Sequence, residues 1–425
     1  MEKVRKFSLP KAHPISWCML LITTLAILLT SVSRQILPTV IPAIMQEYHF
    51  DAVQAGWLNS FMFIGAFVGS VFFGILSDCV GTGYKRSWSW VYAIGVAVIG
   101  GIITAYTRTI GSMRACLAFM GMGTGGSEPV NVAIVGEWWQ KENRGFAIGV
   151  HHTGFPLGQF VGPLIIGAIL SVGTWHEAFI FVPLIGVPIM IAQVVLGNKK
   201  NQDKVYGWIR EHHLTVPVEE GKPATKSSFS DAFRYVGTCF KNRNCLLSIA
   251  MIFLFLWAEQ GIGTFLTLHL TKTGIGLAAA SVISGASGLT GWIGQIFWSS
   301  LSDYTGRKVS LKIITAGWIV ATLACIFIDS EMTGWVILIG WGLFRNSPYP
   351  VVYALLIDSM PKAAASSMGL MIGIAMGLSG FLVAPVAGWI IQTYGFTVHY
   401  LILAAVLVVA FIPMVLIKET VVPTK

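Results

Sequence analysis

Apolar side chains run along this chain in long stretches, and the segments between them are short and gather most of the charged residues. Stretches of about 20 residues, enough to cross a bilayer, can be placed at 16–45, 54–77, 88–107, 111–136, 146–171 and 178–197. Six more follow at 245–270, 277–300, 309–328, 333–357, 364–391 and 398–417. Inside lipid every backbone polar group must be bonded within the segment, so spans this long and this apolar are helices. The pattern predicts an all-α, polytopic membrane protein of twelve transmembrane helices.

One long polar interruption divides the pattern. It gives a six-helix bundle over 1–197, a linker over 198–244 and a second six-helix bundle over 245–425. Within the linker, KVYGWIREHH has the form of a short amphipathic helix on the membrane surface. Val205, Trp208 and Ile209 would face lipid, and Lys204 and Arg210 the headgroups; a plain disordered linker is the other reading. The halves also repeat one another. GILSDCVG follows the second span and SSLSDYTGRK the eighth, and the register that lays Asp78 on Asp303 also lays Arg34 on Glu259. Two pseudo-symmetric bundles of this kind can rock about a central cavity, which is how repeat-built transporters work.

Composition sharpens this picture. Of 425 residues 55% are hydrophobic and 11% charged, against roughly 25% charged in a soluble domain. The net charge of +9 is explained by topology. Lys3, Arg5, Lys85, Arg86, Lys141, Arg144, Arg307, Lys308 and the basic linker fall on one side, with only Arg108 and Lys272 near the other. That bias places both termini in the cytoplasm of a plasma membrane or bacterial inner membrane. No basic stripe interleaved with aromatics suggests nucleic acid, no spacing of ligands suggests a metal or other cofactor, and no nucleophile–base arrangement suggests an enzyme.

Ionisable groups inside a span cost roughly 2.5–3.5 kcal/mol on insertion scales, so they must face protein or water. Arg34, Arg114, Glu128, Glu259 and Arg345 are such groups. A guanidinium can grip a planar carboxylate with two parallel hydrogen bonds, which makes Arg34 a candidate for substrate binding or for a structural ion pair. Arg345, in GLFRNSPYP, stands with Asn346 and Tyr349 beside two prolines and invites the same two readings. Glu259 and Glu128 are candidates for ion coupling or for permanent salt bridges. By the repeat, Glu259 is expected to face Arg34 across the pseudo-twofold axis. Asp78, Glu137, Arg144, Asp303, Arg307 and Asp358 gather on the cytoplasmic side as candidate gating residues. His151 and His152 fit hydrogen bonding or a proton relay.

The chain resembles the major facilitator superfamily of secondary transporters along its whole length. Gly74, Leu76, Ser77, Asp78 and Gly81 match the family's loop motif G-x-L-[SA]-D-x-x-G-[RK]-[RK], although the basic pair is delayed by Thr82-Gly83-Tyr84 to Lys85-Arg86. The second copy is complete in Leu301, Ser302, Asp303, Gly306, Arg307 and Lys308. Glu137, Trp138, Arg144 and Gly145 are similar to the organic-anion:cation and aromatic-acid:proton symporter branches. Arg34 matches the arginine in the first span of the anion:cation symporter branch, with Ser33 in the place of the usual acid. GQFVGPLIIG in the fifth span resembles a glycine–proline pattern of exchangers, and close helix packing explains it equally.

The resemblance implies alternating access, import of a small organic anion by proton symport, and a functional monomer in the bilayer. Sodium coupling, through oxygens of Asn59, Ser127, Asn131 and the glutamates, stays open. So does an exporter or exchanger of organic or amphiphilic solutes.

Overall fold

The computed structural model describes residues 10–140, 143–217, 240–359 and 364–420. Among these residues every regular element is a helix. The first four spans are α1 (Pro14–Tyr48), α2 (Ala52–Val80), α3 (Arg86–Thr104) and α4 (Ile110–Trp138). The fifth runs through α5 (Arg144–His152) and α6 (Gly154–Val172) and the sixth through α7 (Trp175–Leu184) and α8 (Gly186–Leu196), the joining residues Thr153 and Ile185 keeping helical backbone angles. After the linker helix α9 (Lys199–Glu211) come α10 (Arg243–Lys272), the broken eighth span α11 (Leu277–Ser284) and α12 (Ala286–Thr305), and α13 (Arg307–Ala324). The tenth span is α14 (Glu331–Arg345) with α15 (Pro348–Ser359). The eleventh and twelfth spans follow one another within α16 (Ala364–Val409) as two helices that meet at Gly395, whose φ of +81° and ψ of 177° are not helical, and α17 (Phe411–Leu416) follows.

Nine helical segments among the described residues are long and apolar enough to cross a membrane. The fourth and tenth spans are not in that set. The fourth carries the Gly-rich run with Glu128, and the tenth is interrupted at Arg345, Asn346 and Ser347. Each of these two spans brings one charge to mid-depth, Glu128 and Arg345, opposite Arg34 and Glu259 on the strongly apolar first and seventh spans.

On the side away from the linker the loops are short and the next helix is capped at once. Asp51 with Gln54, Thr109 with Ser112, Thr174 with Glu177 and Ser330 with Thr333 form reciprocal capping pairs, satisfying amides that have no partner in the first helical turn. Within the first half α2 and α4 approach through Gly65, Gly69, Gly121 and Gly125, where a β-carbon would strike the neighbour's backbone. Lipid gives helices no hydrophobic reason to associate, so close packing of this kind holds them together. The second half centres on Phe255, Trp318 and Trp341, with Phe255 and Trp318 stacked at 5.6 Å.

The halves meet along the side away from the linker. Ile36, Leu37, Ile41 and Leu58 share one buried cluster with Phe265, Leu268, Ala387 and Ile391. Backbones touch there as well, Gly56 against Ala384 and Pro385, and Gly388 against Ala52. The amide of Asn59 donates to Thr264 Oγ1 at 3.2 Å.

The linker helix corrects an expectation. Val205, Tyr206 and Ile209 are buried in the same cluster as Trp90 and Trp138, so α9 lays its apolar face on protein rather than lipid. Gln202 Oε1 accepts from the Tyr84 amide at 3.1 Å, and the Tyr206 hydroxyl donates to the Glu137 carbonyl at 3.1 Å. The turn after α2 presents backbone groups that need partners, and α9 supplies them. Residues 218–239 of the linker lie outside the described ones.

Candidate functional site

Charged side chains at mid-depth are joined in pairs, each within one half. Arg34 of α1 donates from Nη2 to Glu128 Oε2 of α4 at 3.0 Å. Its guanidinium carbon lies 5.8 Å from the centre of the Phe155 ring on α6. The other terminal nitrogen, Nη1, is buried with no hydrogen-bond partner among the described residues. An unmatched guanidinium N–H in a buried site is a donor awaiting an acceptor.

The second pair makes more hydrogen bonds. Arg345, at the end of α14, donates from Nε to Glu259 Oε1 of α10 at 2.9 Å and from Nη1 to Ser287 Oγ of α12 at 2.8 Å. Its guanidinium lies 4.8 Å from the Trp341 ring centre. The Tyr349 hydroxyl donates to Glu259 Oε2. Both charged side chains are 8% exposed, against 30% for Glu128. Tyr353, one turn past Tyr349, lies within electrostatic reach of both Glu128 and Glu259.

The expectation that Arg34 and Glu259 face one another is therefore corrected. The first span of each half packs on the fourth of the same half, so the nearest opposite charge is a neighbouring helix away rather than across the midline. The relation is also inverted: base on the first span and acid on the fourth, then acid on the seventh and base on the tenth.

Gln159 of α6 crosses between the halves at this depth. Its Nε2 donates to Glu259 Oε1 at 3.4 Å, and its Oε1 accepts from Asn346 Nδ2 at 2.9 Å. Gln159 escapes a reading of the sequence, because a neutral amide in a glycine-rich span raises no alarm. The available signal was spacing: His152, Phe155 and Gln159 recur at intervals of one helical face. His152 is exposed while His151 is buried. Arg114 stands apart from these pairs, 5.7 Å from the Phe61 ring.

The two loop motifs on the linker side are structurally alike despite their different spacing. Arg86 Nη1 donates to Ser77 Oγ at 2.8 Å, and Arg307 Nη1 to Ser302 Oγ at 2.6 Å. The residues that delay the basic pair form a 3-10 turn, Gly83–Lys85, which takes up the extra length and returns Arg86 to the same station. Gly81 and Gly306 leave their helices with φ of +118° and +93°, a region closed to most side chains. Arg86 Nε then reaches both oxygens of Glu137 at 2.9 and 3.0 Å. In the second copy Glu419 accepts from the amides of Arg307 and Lys308 at 3.1 and 2.9 Å. The side chains of Asp78, Arg144, Asp303 and Asp358 lie outside the described ones.

Of the groups considered for sodium, Asn59 and Asn131 make their contacts through the amide nitrogens, and their Oδ1 atoms are buried without a hydrogen-bond partner among the described residues. Asn59 bonds Thr264 across the halves, whereas Ser127 and Asn131 bond α1 at Thr30 and at the Thr23 carbonyl.

The family model of the Major Facilitator Superfamily matches residues 23–380 and, a second time, 248–425. The benzoate transport protein of Acinetobacter baylyi (strain ATCC 33305 / BD413 / ADP1) is 21% identical over 404 residues, covering 90% of this chain and 85% of its own. The niacin transporter NiaP of the same organism is 24% identical over 406 residues, covering 91% and 89%. A solved structure of a bacterial homologue of the human lysosomal transporter Spinster, inward-facing and unoccupied, aligns with a TM-score of 0.73 at 15% identity. It covers 96% of this chain and 97% of that one, a likeness of fold. The family match runs through both halves, and on that ground the chain belongs to the Major Facilitator Superfamily: it is a secondary transporter and not an enzyme.

Proposed function

We propose that the protein imports a small organic carboxylate by proton symport through alternating access. The observation that carries this reading is the unmatched Nη1 of Arg34, buried beside the partly exposed Glu128 and under the Phe155 ring. A substrate carboxylate bonded to Arg34 satisfies that donor and competes with Glu128 for the guanidinium. An acid that loses its counter-cation in a poorly solvated site takes up a proton more readily, and the cargo then crosses with its proton. Arg345, Asn346 and Tyr349 form the opposite wall, where Glu259 is the second coupling candidate. The relatives named for benzoate and niacin support a planar aromatic acid as cargo.

The bias of basic residues puts the linker side in the cytoplasm. The clamp on the opposite side then corresponds to an inward-open state of a functional monomer. The Arg86–Glu137 network and its counterpart at Arg307, with Asp78, Arg144, Asp303 and Asp358, form the gate that closes the cytoplasmic side in the other state.

Reconstituted protein decides the matter. Labelled benzoate and nicotinate should accumulate in proteoliposomes under an imposed inside-alkaline pH gradient and not under a sodium gradient alone. Accumulation driven only by sodium would replace the proton as the coupled ion. No binding or uptake of any carboxylate would remove the substrate assignment.

A further inference from the structure

Three side chains donate to the Glu259 carboxylate: Arg345, Tyr349 and Gln159. The first two come from its own half. Gln159 comes from the other half, is 3% exposed, and through its own oxygen also holds Asn346 at 2.9 Å. The same stretch of α6 is where the halves press backbone against backbone. A β-carbon on Gly288 would strike Phe160 and Gln159, Gly285 lies against Pro163, and Ser281 Oγ donates to the Pro163 carbonyl at 3.0 Å. Thus one residue both senses a carboxylate in the second half and belongs to the contact between the halves.

We propose that Gln159 is the tether by which the charge on Glu259 holds the two halves in the clamped state, and that neutralising Glu259 loosens it. The proposal rests on the reading above of Glu259 as a coupling candidate, taken here as an acid that gains and loses a proton during transport. An amide donating to a carboxylate makes a charge-assisted hydrogen bond, roughly twice as strong as one to a neutral acid. At 3.4 Å the contact is a long hydrogen bond, strengthened by charge while Glu259 is ionised and weakened once it is protonated. Gln159 is a positioning residue, acting through Glu259 and Asn346 rather than on cargo.

The groups that face Glu259 set its charge. Arg345 and Tyr349 bond it directly, and Tyr353 is within electrostatic reach. From α16, His399 places Nε2 3.1 Å from the Gly261 carbonyl, two residues along α10. From α1, Arg34 is held by Glu128. Among the described residues, α12 contributes Ser287, through Arg345.

Spin labels at the clamped ends of α2 and α16 report the ratio of closed to open in purified protein, without cargo or gradient. Gln159→Leu should lower that ratio about fivefold, the size expected for one or two buried hydrogen bonds. The same substitution in a Glu259→Gln background should have a several-fold smaller effect, since the charge it depends on is already gone. Gln159→Asn keeps the amide but shortens its reach. It should shift the ratio in the same direction, and it serves if the leucine variant fails to insert. An unchanged ratio in the variants, or full additivity with Glu259→Gln, overturns the tether. The measurement involves no ion gradient: a carrier that proves sodium-driven would refute proton symport while these shifts would still support Gln159.

Discussion

Arg34 and Arg345 are the same residue type, each bonded to a glutamate, yet of the two only Arg34 has a fully buried terminal nitrogen without a partner among the described residues. Lysine at position 34 keeps the charge and loses the planar fork. Arg34→Lys should therefore leave a folded, inserted protein whose affinity for a carboxylate falls about tenfold or more, the worth of one charge-assisted hydrogen bond. Equilibrium binding beside a folding control checks it, and unchanged affinity would take Arg34 out of the site. Arg34, Glu128, Glu259 and Arg345 were legible in the sequence, because a charge inside an apolar span needs a reason. Their partners were not. A repeat aligns positions along the chain, but which neighbouring helix supplies the nearest opposite charge is decided by packing. Gln159 and Glu419 were illegible for a different reason: one is neutral, and the other stands just past the last span, where an acid is ordinary.

At the scale of elements, the spans could be read from their length and apolarity, and the linker helix from its periodicity. The surface that α9 covers could not, since an apolar stripe looks the same whether it meets lipid or a folded turn. Its docking has a consequence at the start of α1. His13 caps that helix by accepting from the Ile15 amide at 3.2 Å through Nδ1, which must be unprotonated to do so. Burial, and then the charge of Lys204 on α9, hold the imidazole below its ordinary value of 6.5. A base whose folded form resists protonation contributes stability above pH 6.5, lost progressively as the pH falls toward the folded value. Protection of the Ile15 amide, its exchange rate relative to the intrinsic rate at each pH, should fall on acidification from pH 7.5 to about 5, as proton linkage requires. A His13→Asn variant, which caps without titrating in this range, should show no such fall. Equal behaviour of the two proteins would mean that the cap does not govern the first turn of α1.

For the whole molecule, each half carries its own ion pair. Inverted pairing then has an electrical meaning. Two guanidiniums stand with two carboxylates at mid-depth, so on the proposed mechanism the empty carrier moves no net charge there when it resets. A unit charge carried across the membrane exchanges about 2.3 kcal/mol with each 100 mV of potential. A monocarboxylate travelling with one proton is invisible to that field, and so is the return step. Uptake of such an acid, driven by a pH gradient, should proceed at the same rate whether a valinomycin-set potassium potential is inside-negative or zero, with no current on a supported membrane. A dianion accompanied by a single proton should instead be slowed by the inside-negative potential and should generate current. Current during monocarboxylate uptake would mean that the two pairs do not cancel, and that the membrane voltage drives the carrier directly.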